Sequence, residues 1–403
     1  MSNNFFYIAQ FFTPEPYLKD IKFIKKIKDK GWNPIVITGF PNYPKGKIYD
    51  GYQNRLFSEE TMDGIKVIRV FTYADHSLSS IKRTLNYLVF GIFAAFAILK
   101  YGRRDSFYYI LQSSPFVVFC AWMVKLFKPN SKTLLDIQDV FPENIRVSGF
   151  IKSKRIISIL DFLLDRFYYS AFDLFVTVSE SFRKIINNKK IPFAKILTLY
   201  NWSMVESSEA AEERFSFSNK GFNIVYAGNI GVHQGLSKLT MGIKQITKKI
   251  PTIYFHFFGD GTDFSVLKCE LQGSANVIFH GRVPSSQINK YMRASDVLFL
   301  HLIKDPIYEC IIPSKLQAYI EIGKPLLAGI EGEARSFVTD NDLGEVFSSE
   351  NNDEFQEAVC LLFKYSEMRI KNIEEKSKQL YKTKFSLQAG VELIDNFIKE
   401  SYD

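Results

Sequence analysis

The chain has 403 residues, 46% of them hydrophobic and 15% aromatic, an ordinary globular composition with enough apolar material for two domains. Its net charge of +8 is unevenly spread: residues 1–200 hold 29 Lys and Arg against 16 Asp and Glu, and the remainder holds 22 against 27. A basic first half facing an acidic second half points to an anionic partner for the first, whether a membrane surface, a nucleic acid or a phosphorylated acceptor. Cys120, Cys269, Cys310 and Cys360 show no metal or redox spacing, which suggests a reducing cytoplasm.

The N-terminus is apolar without a positive leader and is interrupted at Pro14-Glu15-Pro16, so it reads as a first strand, Phe5 to Ala9. Tyr17 to Lys30 has helical spacing and stops at Gly31; Asn33 to Thr38 is the next strand. Strand, helix, strand opens an alternating α/β sheet. A Tyr-, Pro- and Gly-rich loop runs from Gly39 to Glu60, and Ile65 to Phe71 is a strand. Leu85 to Leu99 is almost wholly apolar, with Lys82-Arg83 before it and Lys100, Arg103 and Arg104 after it. It falls short of the roughly 20 apolar residues of a spanning helix. It is either a buried helix of the α/β core or a monotopic helix resting in a membrane interface.

Strands follow at Phe107 to Leu111 and Thr133 to Ile137, and a helix starts near Pro115. Ser158 to Ala171 is helical, Leu174 to Val178 is a strand, and Ser179 caps the helix after it. Ile196 to Leu199 is the last strand of the first domain. The polar run from Ser203 to Gly221 marks the boundary, giving domains 1–203 and 204–384, with a C-terminal helix over about 385–403 returning to the first. The alternation then restarts: strands at Asn223 to Ala227, Thr252 to Phe258, Asn276 to His280, Val297 to His301 and Leu326 to Ile330, helices at Leu236 to Lys249 and Ser286 to Met292, and a largely helical end from Glu354.

Ligands of parallel α/β sheets collect at the C-terminal strand ends. The loop Gly228-Asn229-Ile230-Gly231-Val232-His233-Gln234-Gly235 joins a strand to a helix there, and its glycines allow backbone amides to approach a phosphate. It is neither a dinucleotide fingerprint nor a Walker loop, and as a plain turn it is equally ordinary. Pro313-Ser314-Lys315 gathers a hydroxyl, an ammonium and free amides at one helix start, a match for a diphosphate or simply a well-started helix. Glu309 precedes it, and Gln317 lies in the second turn. Asp139 and Glu143 flank Pro142 just past a strand end, where they would take a hydroxyl proton or cap the next segment. His76, His233, His256, His280 and His301 have no ligand spacing, and no zinc motif, Ser-hydrolase elbow or kinase signature is present. Nothing resembles a helix-turn-helix, an RNP motif or a zinc finger, so no nucleic-acid partner is expected.

Taken in order, the motifs resemble family 4 glycosyltransferases of the GT-B fold. The strings are NIVYAGNIGVHQGL, FHFFGDG, VIFHGRVPSSQINKYMRASDVLFL and PSKLQAYIEIGKPLLAGIEGE in the second half, with QFFTPE, SSPF, DIQDVFPE, DLFVTVSESF and LYNW in the first. The last three are similar to the bacterial surface-polysaccharide branch that acts on N-acetyl-fucosamine and related sugars. The resemblance implies an α/β chain of two Rossmann-like domains facing a central cleft: an acceptor domain, then a nucleotide-sugar domain. It implies a retaining transferase that needs no metal or cofactor. The expected donor is a nucleotide sugar, UDP-linked, carrying an amino or deoxy sugar; the acceptor is a lipid-linked saccharide on the inner face of the cytoplasmic membrane. A nucleotide-sugar epimerase and a non-catalytic nucleotide-sugar binding module share the same fold.

The family's Glu-x7-Glu element maps onto Glu309, for the donor sugar, and onto Gln317, where the ribose-binding Glu would stand. Gly228 and Gly231 fall in the glycine loop, but Asn229 and Gln234 occupy the places of the usual Arg and Lys on the diphosphate. Lys315, Arg282 and the amides around Pro313 and Ser314 are the substitutes, and Arg282-Val283 is implied to lie near the base.

Overall fold

The computed structural model describes residues 3–75, 79–140, 162, 164–203 and 215–402. They form two compact units: Met1–Leu199 with Gly390–Asp403, and Tyr200–Ala389.

The first unit is built on an eight-stranded sheet in the order β3-β4-β2-β1-β5-β6-β7-β8. Its strands are β1 Asn4–Ala9, β2 Asn33–Gly39, β3 Phe57–Met62, β4 Ile65–Val70, β5 Phe107–Leu111, β6 Lys132–Ile137, β7 Leu174–Thr177 and β8 Ile196–Thr198. Only β3 runs antiparallel, hairpinned to β4. The inner strands are near-continuous apolar runs because helices cover both faces of a parallel sheet; β1 is buried from Phe5 to Ala9. Three of the helices are α1 Ile21–Asp29, α2 Ser80–Tyr101 and α3 Val118–Phe127; α4, Glu180–Asn188, follows β7. Helix α1 starts four residues later than its periodicity suggests, because Asp20 caps it, accepting from Lys22 N at 2.8 Å and Phe23 N at 3.4 Å. The apolar stretch expected at 85–99 is the middle of α2, which has 22 residues and is long and apolar enough by length and composition to cross a membrane. Strand β3 was not foreseen: FSEETM is polar, and its partly exposed edge position removes the hydrophobic signal.

The buried Asp136 and Arg69 of this unit are met by partners. Asp136 pairs with Lys19, accepts from the Tyr109 hydroxyl at 2.5 Å and takes Gln138 Nε2 at 2.7 Å. Arg69 on β4 donates to Glu60 Oε1 at 2.6 Å, Gly39 O at 3.0 Å and Thr13 O at 2.7 Å, tying the loops after β1 and β2 to the edge hairpin. The chain's last residues complete the unit: Asp395 accepts from Trp32 Nε1 at 2.8 Å, and Tyr402 lies beside Phe107.

The second unit has a six-stranded, wholly parallel sheet in the order β11-β10-β9-β12-β13-β14. The strands are β9 Phe222–Ala227, β10 Ile253–Phe258, β11 Val277–Gly281, β12 Val297–His301, β13 Leu326–Gly329 and β14 Gly344–Phe347. The helices are α5 Thr240–Lys249, α6 Phe264–Glu270, α7 Ser285–Ala294, α8 Ser314–Ile322, α9 Gly332–Asp340, α10 Asn352–Phe363 and α11 Glu367–Leu380, and α12, Leu387–Glu400, leads back to the first unit. Two cores sandwich the sheet, one centred on Ile224, Tyr226, Phe255 and Phe299, the other on Val225, Leu298, Leu316 and Tyr319. Tyr200 belongs to this unit because its ring packs on Phe337 and Phe385. Elements α6, α9 and β14 were not foreseen; each is short and bounded by Gly or Asp turns that mask its period.

Candidate functional site

The chain adds β10 and β11 on one side of β9 and then β12, β13 and β14 on the other, so the order reverses between β9 and β12. Loops leaving neighbouring strands diverge at such a point and open a crevice at the C-terminal edge. A cavity of 910 Å³ lies there, lined by the ends of β9 and β10, the turn after β11 and the start of α8. Its wall includes Gly228, Asn229, Asp260, Arg282, Val283 and Lys315.

The loops on this edge are zipped by backbone bonds: Gly228 N to Phe258 O at 2.9 Å, Ile230 N to Asp260 O at 2.9 Å and Gly259 N to Gly281 O at 2.8 Å. The approach leaves no room for side chains. Gly259 has φ +141°, and a Cβ there would overlap the Gly228 carbonyl oxygen. Gly259→Ala is therefore expected to destabilise the protein by about 1–3 kcal/mol, read as a lower denaturation midpoint, with weaker ligand binding in the cavity.

Lys315, in the first turn of α8, crosses the mouth of the β9 loop. Its ammonium lies 3.9 Å from the centre of the Tyr226 ring, donates to the Tyr226 hydroxyl and reaches Asn229 O at 3.3 Å. Gly228 makes room, since a Cβ at that position would run into the lysine's Cε. These partners are neutral, and burial pushes the Lys315 ammonium down to about 7. Tyr226 in turn donates to Asn229 O at 2.5 Å, and burial pushes its hydroxyl well up, so it stays protonated. A half-desolvated cation with neutral partners, on a cavity wall shared with the exposed Arg282, is arranged to receive an anion.

Asn229 and Gln234 bind one another: Asn229 Nδ2 donates to Gln234 Oε1 at 2.9 Å, and Gly231 N donates to the same oxygen at 3.1 Å. Two amides thus lock the loop internally where cations would point outward. Behind it, His301 at the end of β12 donates Nδ1–H to Gln234 O at 2.6 Å and accepts Glu350 N at its Nε2 at 3.3 Å. Burial lowers His301 to about 4, and burial with the neighbouring His280 lowers His256 to about 4. Folded values below the unfolded 6.5 mean that the unfolded chain binds more protons between pH 4 and 6.5, so stability is full above 6.5 and is lost as pH falls toward 4. The expected loss is up to about 3 kcal/mol per histidine, measured as urea stability against pH, with His301→Gln flattening the slope.

Gly228, Asn229, Arg282, Val283 and Lys315 are brought together on the cavity wall. Gly231, Gln234, Pro313, Ser314 and Gln317 are not on that wall. Gly231 and Gln234 form the loop's internal lock, Pro313 and the exposed Ser314 stand at the helix start, and Gln317 is only 3% exposed on the core side of α8. Glu309 sits half-buried in a single helical turn, Tyr308–Cys310, after β12, also off that wall. Asp139 is exposed in the first unit, its backbone N–H donating to Gln112 Oε1 at 3.2 Å, and Glu143 lies outside the described residues. The sequence reading missed Tyr226 and Tyr319, and cited Gly259-Asp260-Gly261 only within the string FHFFGDG, without assigning it a role. Tyr319 holds α8 to the sheet, with Ala227 N donating to its hydroxyl at 3.1 Å. The available signals were a tyrosine following Ile224-Val225 near the end of the strand FNIVYA and a Gly-Asp-Gly at a strand's C-terminal end.

Residues 207–379 match the family model described as glycosyl transferases group 1. Over 208 residues the chain is 29% identical to the probable glycosyltransferase WbjE of Pseudomonas aeruginosa; the match takes in 50% of this chain and 51% of that protein, about half the length of each. Among solved structures, sucrose-phosphate synthase of Thermosynechococcus elongatus superposes with a TM-score of 0.66 at 11% identity, over 99% of both chains. Anabaena Alr3699/HepE in complex with UDP and glucose gives 0.62 at 12% identity, over 98% of this chain and 99% of that one. At these identities the structural likeness establishes the fold, which is GT-B.

Proposed function

We propose that the protein, whose residues 207–379 match the glycosyl transferases group 1 model in a chain of GT-B fold, is a retaining glycosyltransferase. It moves an amino or deoxy sugar from a UDP-linked donor to a lipid-linked saccharide during bacterial surface-polysaccharide synthesis, a reading supported by the likeness of DIQDVFPE, DLFVTVSESF and LYNW to that branch. The observation that carries this reading is the neutral-partnered ammonium of Lys315 on the wall of the switch-point cavity.

The donor's diphosphate lies across the mouth of the β9 loop, between Lys315 and Arg282. The N-terminus of α8 adds its dipole. The base sits toward Arg282-Val283, and the sugar extends toward Glu309. UDP is chosen as the nucleotide because HepE, of the same fold, was solved with UDP and glucose. In the transfer, the bond from the anomeric carbon to the β-phosphate oxygen breaks and charge develops on the leaving diphosphate. Fixed cations and amides meet that charge without reorganisation. The acceptor hydroxyl attacks from the face the phosphate leaves, and its proton passes to the departing phosphate oxygen. The new bond therefore keeps the donor's anomeric configuration. No metal or cofactor is required in this scheme.

Calorimetric titration of the full chain with UDP, UMP and uridine tests the donor half. Affinity should fall in that order as phosphates are removed. Equal affinity for UDP and uridine would contradict a diphosphate seat at Lys315. Epimerised sugar released without any acceptor would replace transfer by epimerisation.

A further inference from the structure

Helix α2 has two unlike faces. Phe90, Ala94, Ala97 and Ile98 are fully buried, and Asn86, 3% exposed, accepts from Gln10 at the end of β1. Ile81, Leu85, Ile92, Phe96 and Leu99 are exposed, Ile81 at 82% and Phe96 at 54%. At 100° per residue these five fall within an arc of about 60°, so they form a single stripe along the helix. Helix α3 packs beside α2. Gly91 allows the contact, since a Cβ there would meet the Phe116 carbonyl, and Lys128 Nζ donates to Leu99 O at 3.2 Å. Helix α3 leaves its own large side chains in water, with Leu126 at 64% and Phe127 at 53%. Singly exposed apolar residues need no explanation, but an ordered stripe continued on a neighbouring helix does.

The rim of this surface is basic. Residues 80–128 contain seven Lys and Arg and one acid, Asp105. Lys82, Lys100, Arg103, Arg104 and Lys125 are exposed on or beside these two helices, Lys82 paired with Asp75 at 3.4 Å, and neither helix contains an Asp or Glu. Such a rim repels a second copy of itself and attracts an anionic one, so the occupant is selected by charge as well as by hydrophobicity.

We propose that the stripe of α2 together with Leu126 and Phe127 of α3 is a docking face for an anionic lipid bilayer, on which the protein lies without crossing it. A spanning α2 would have to abandon its buried face and draw Asn86 into hydrocarbon, away from Gln10. Lying flat, the helix seats its stripe among acyl chains and its basic rim among headgroups. The face itself rests on side-chain placement alone; its purpose, to bring a lipid-linked acceptor within reach, rests on the proposed function.

The test is co-sedimentation of the full chain with vesicles of phosphatidylcholine, with and without phosphatidylglycerol. Binding is expected on the anionic vesicles and weak on the neutral ones. Phe96→Glu with Leu126→Glu should lower it by about tenfold or more. Arg103→Ser with Arg104→Ser should lower it by about tenfold, and added salt should imitate that change. All these positions are exposed, so thermal unfolding and UDP titration should be unaltered. No binding to either vesicle by the unsubstituted protein would overturn the proposal. So would a dimer in light scattering that the Phe96/Leu126 variant converts to monomer. Loss of UDP binding with vesicle binding retained would count against the donor site and leave this face standing.

Discussion

Lys315→Ala is expected to weaken UDP binding by about 100-fold at pH 7, because truncating one partner of a desolvated charge pair costs about 2–5 kcal/mol. Gln317→Ala should change it by less than about threefold, since Gln317 is buried and off the cavity wall. The pH dependence gives the result its signature. In the unliganded protein burial holds the Lys315 ammonium at about 7. A bound diphosphate favours the charged form and raises that value. UDP affinity should therefore be highest close to pH 7, where the terminal phosphate, with its second ionisation at about 6, is dianionic and Lys315 is still charged, and should decline by as much as about tenfold per pH unit above it, until the raised value of the complex is reached. The Lys315→Ala variant should lack this slope. The same shift acts on folding with its own sign. The unfolded chain holds the lysine's proton up to about 10.5, so the cost of burying the ammonium is full below 7 and is relieved as pH rises from 7 to 10.5. Affinity measured by titration calorimetry at several pH values checks both parts, and a flat profile in the unsubstituted protein would remove Lys315 from the diphosphate.

Glu309→Ala is the second large effect: a fall in turnover of about 10²–10³-fold, with UDP affinity unchanged within about threefold. The carboxylate is carried on the turn after β12, and that turn is fixed from outside. Gly332, with φ +62°, begins α9 so close that a Cβ there would collide with the Glu309 backbone. The Cys310 thiol is pushed up first by burial and then by the charges of Glu309 and Glu333, which places both carboxylates nearby. In the proposed function this carboxylate serves the hydroxyls of the donor sugar, contacts that UDP alone never makes. Steady-state kinetics separate the two quantities. Full activity in Glu309→Ala would remove this residue from the reaction.

The alternation of buried strands and amphipathic helices was legible along most of the chain, because a parallel sheet covered on both faces needs continuous apolar runs such as NFFYIA and VLFLH. What escaped was short or at an edge. Strand β3 has no buried residue, and β14 has four residues set off by Asp342 and Gly344, both at positive φ. On the cavity wall, residues tied to a local signature were readable: Gly228 and Asn229 of the glycine loop, Arg282-Val283 after β11, and Lys315 in the first turn of α8. Residues whose role exists only in three dimensions were not. Tyr226 reads as a strand aromatic, and nothing in the sequence says that Lys315, 89 positions on, will lie over its ring. Asn229 and Gln234 were readable as missing cations; that they bind each other became visible only once the loop had closed.

The central claim is that this chain transfers a sugar from UDP to a lipid-linked acceptor. The most direct measurement is to incubate the full protein with a panel of labelled UDP-sugars and polyprenyl-diphosphate saccharides. The lipid fraction is then analysed by mass spectrometry, and the anomeric configuration of the product by NMR. The account predicts one added sugar with retained configuration and a matching amount of released UDP, both abolished together in Glu309→Ala. No lipid product and no nucleotide release with any UDP-, GDP- or ADP-sugar would contradict it.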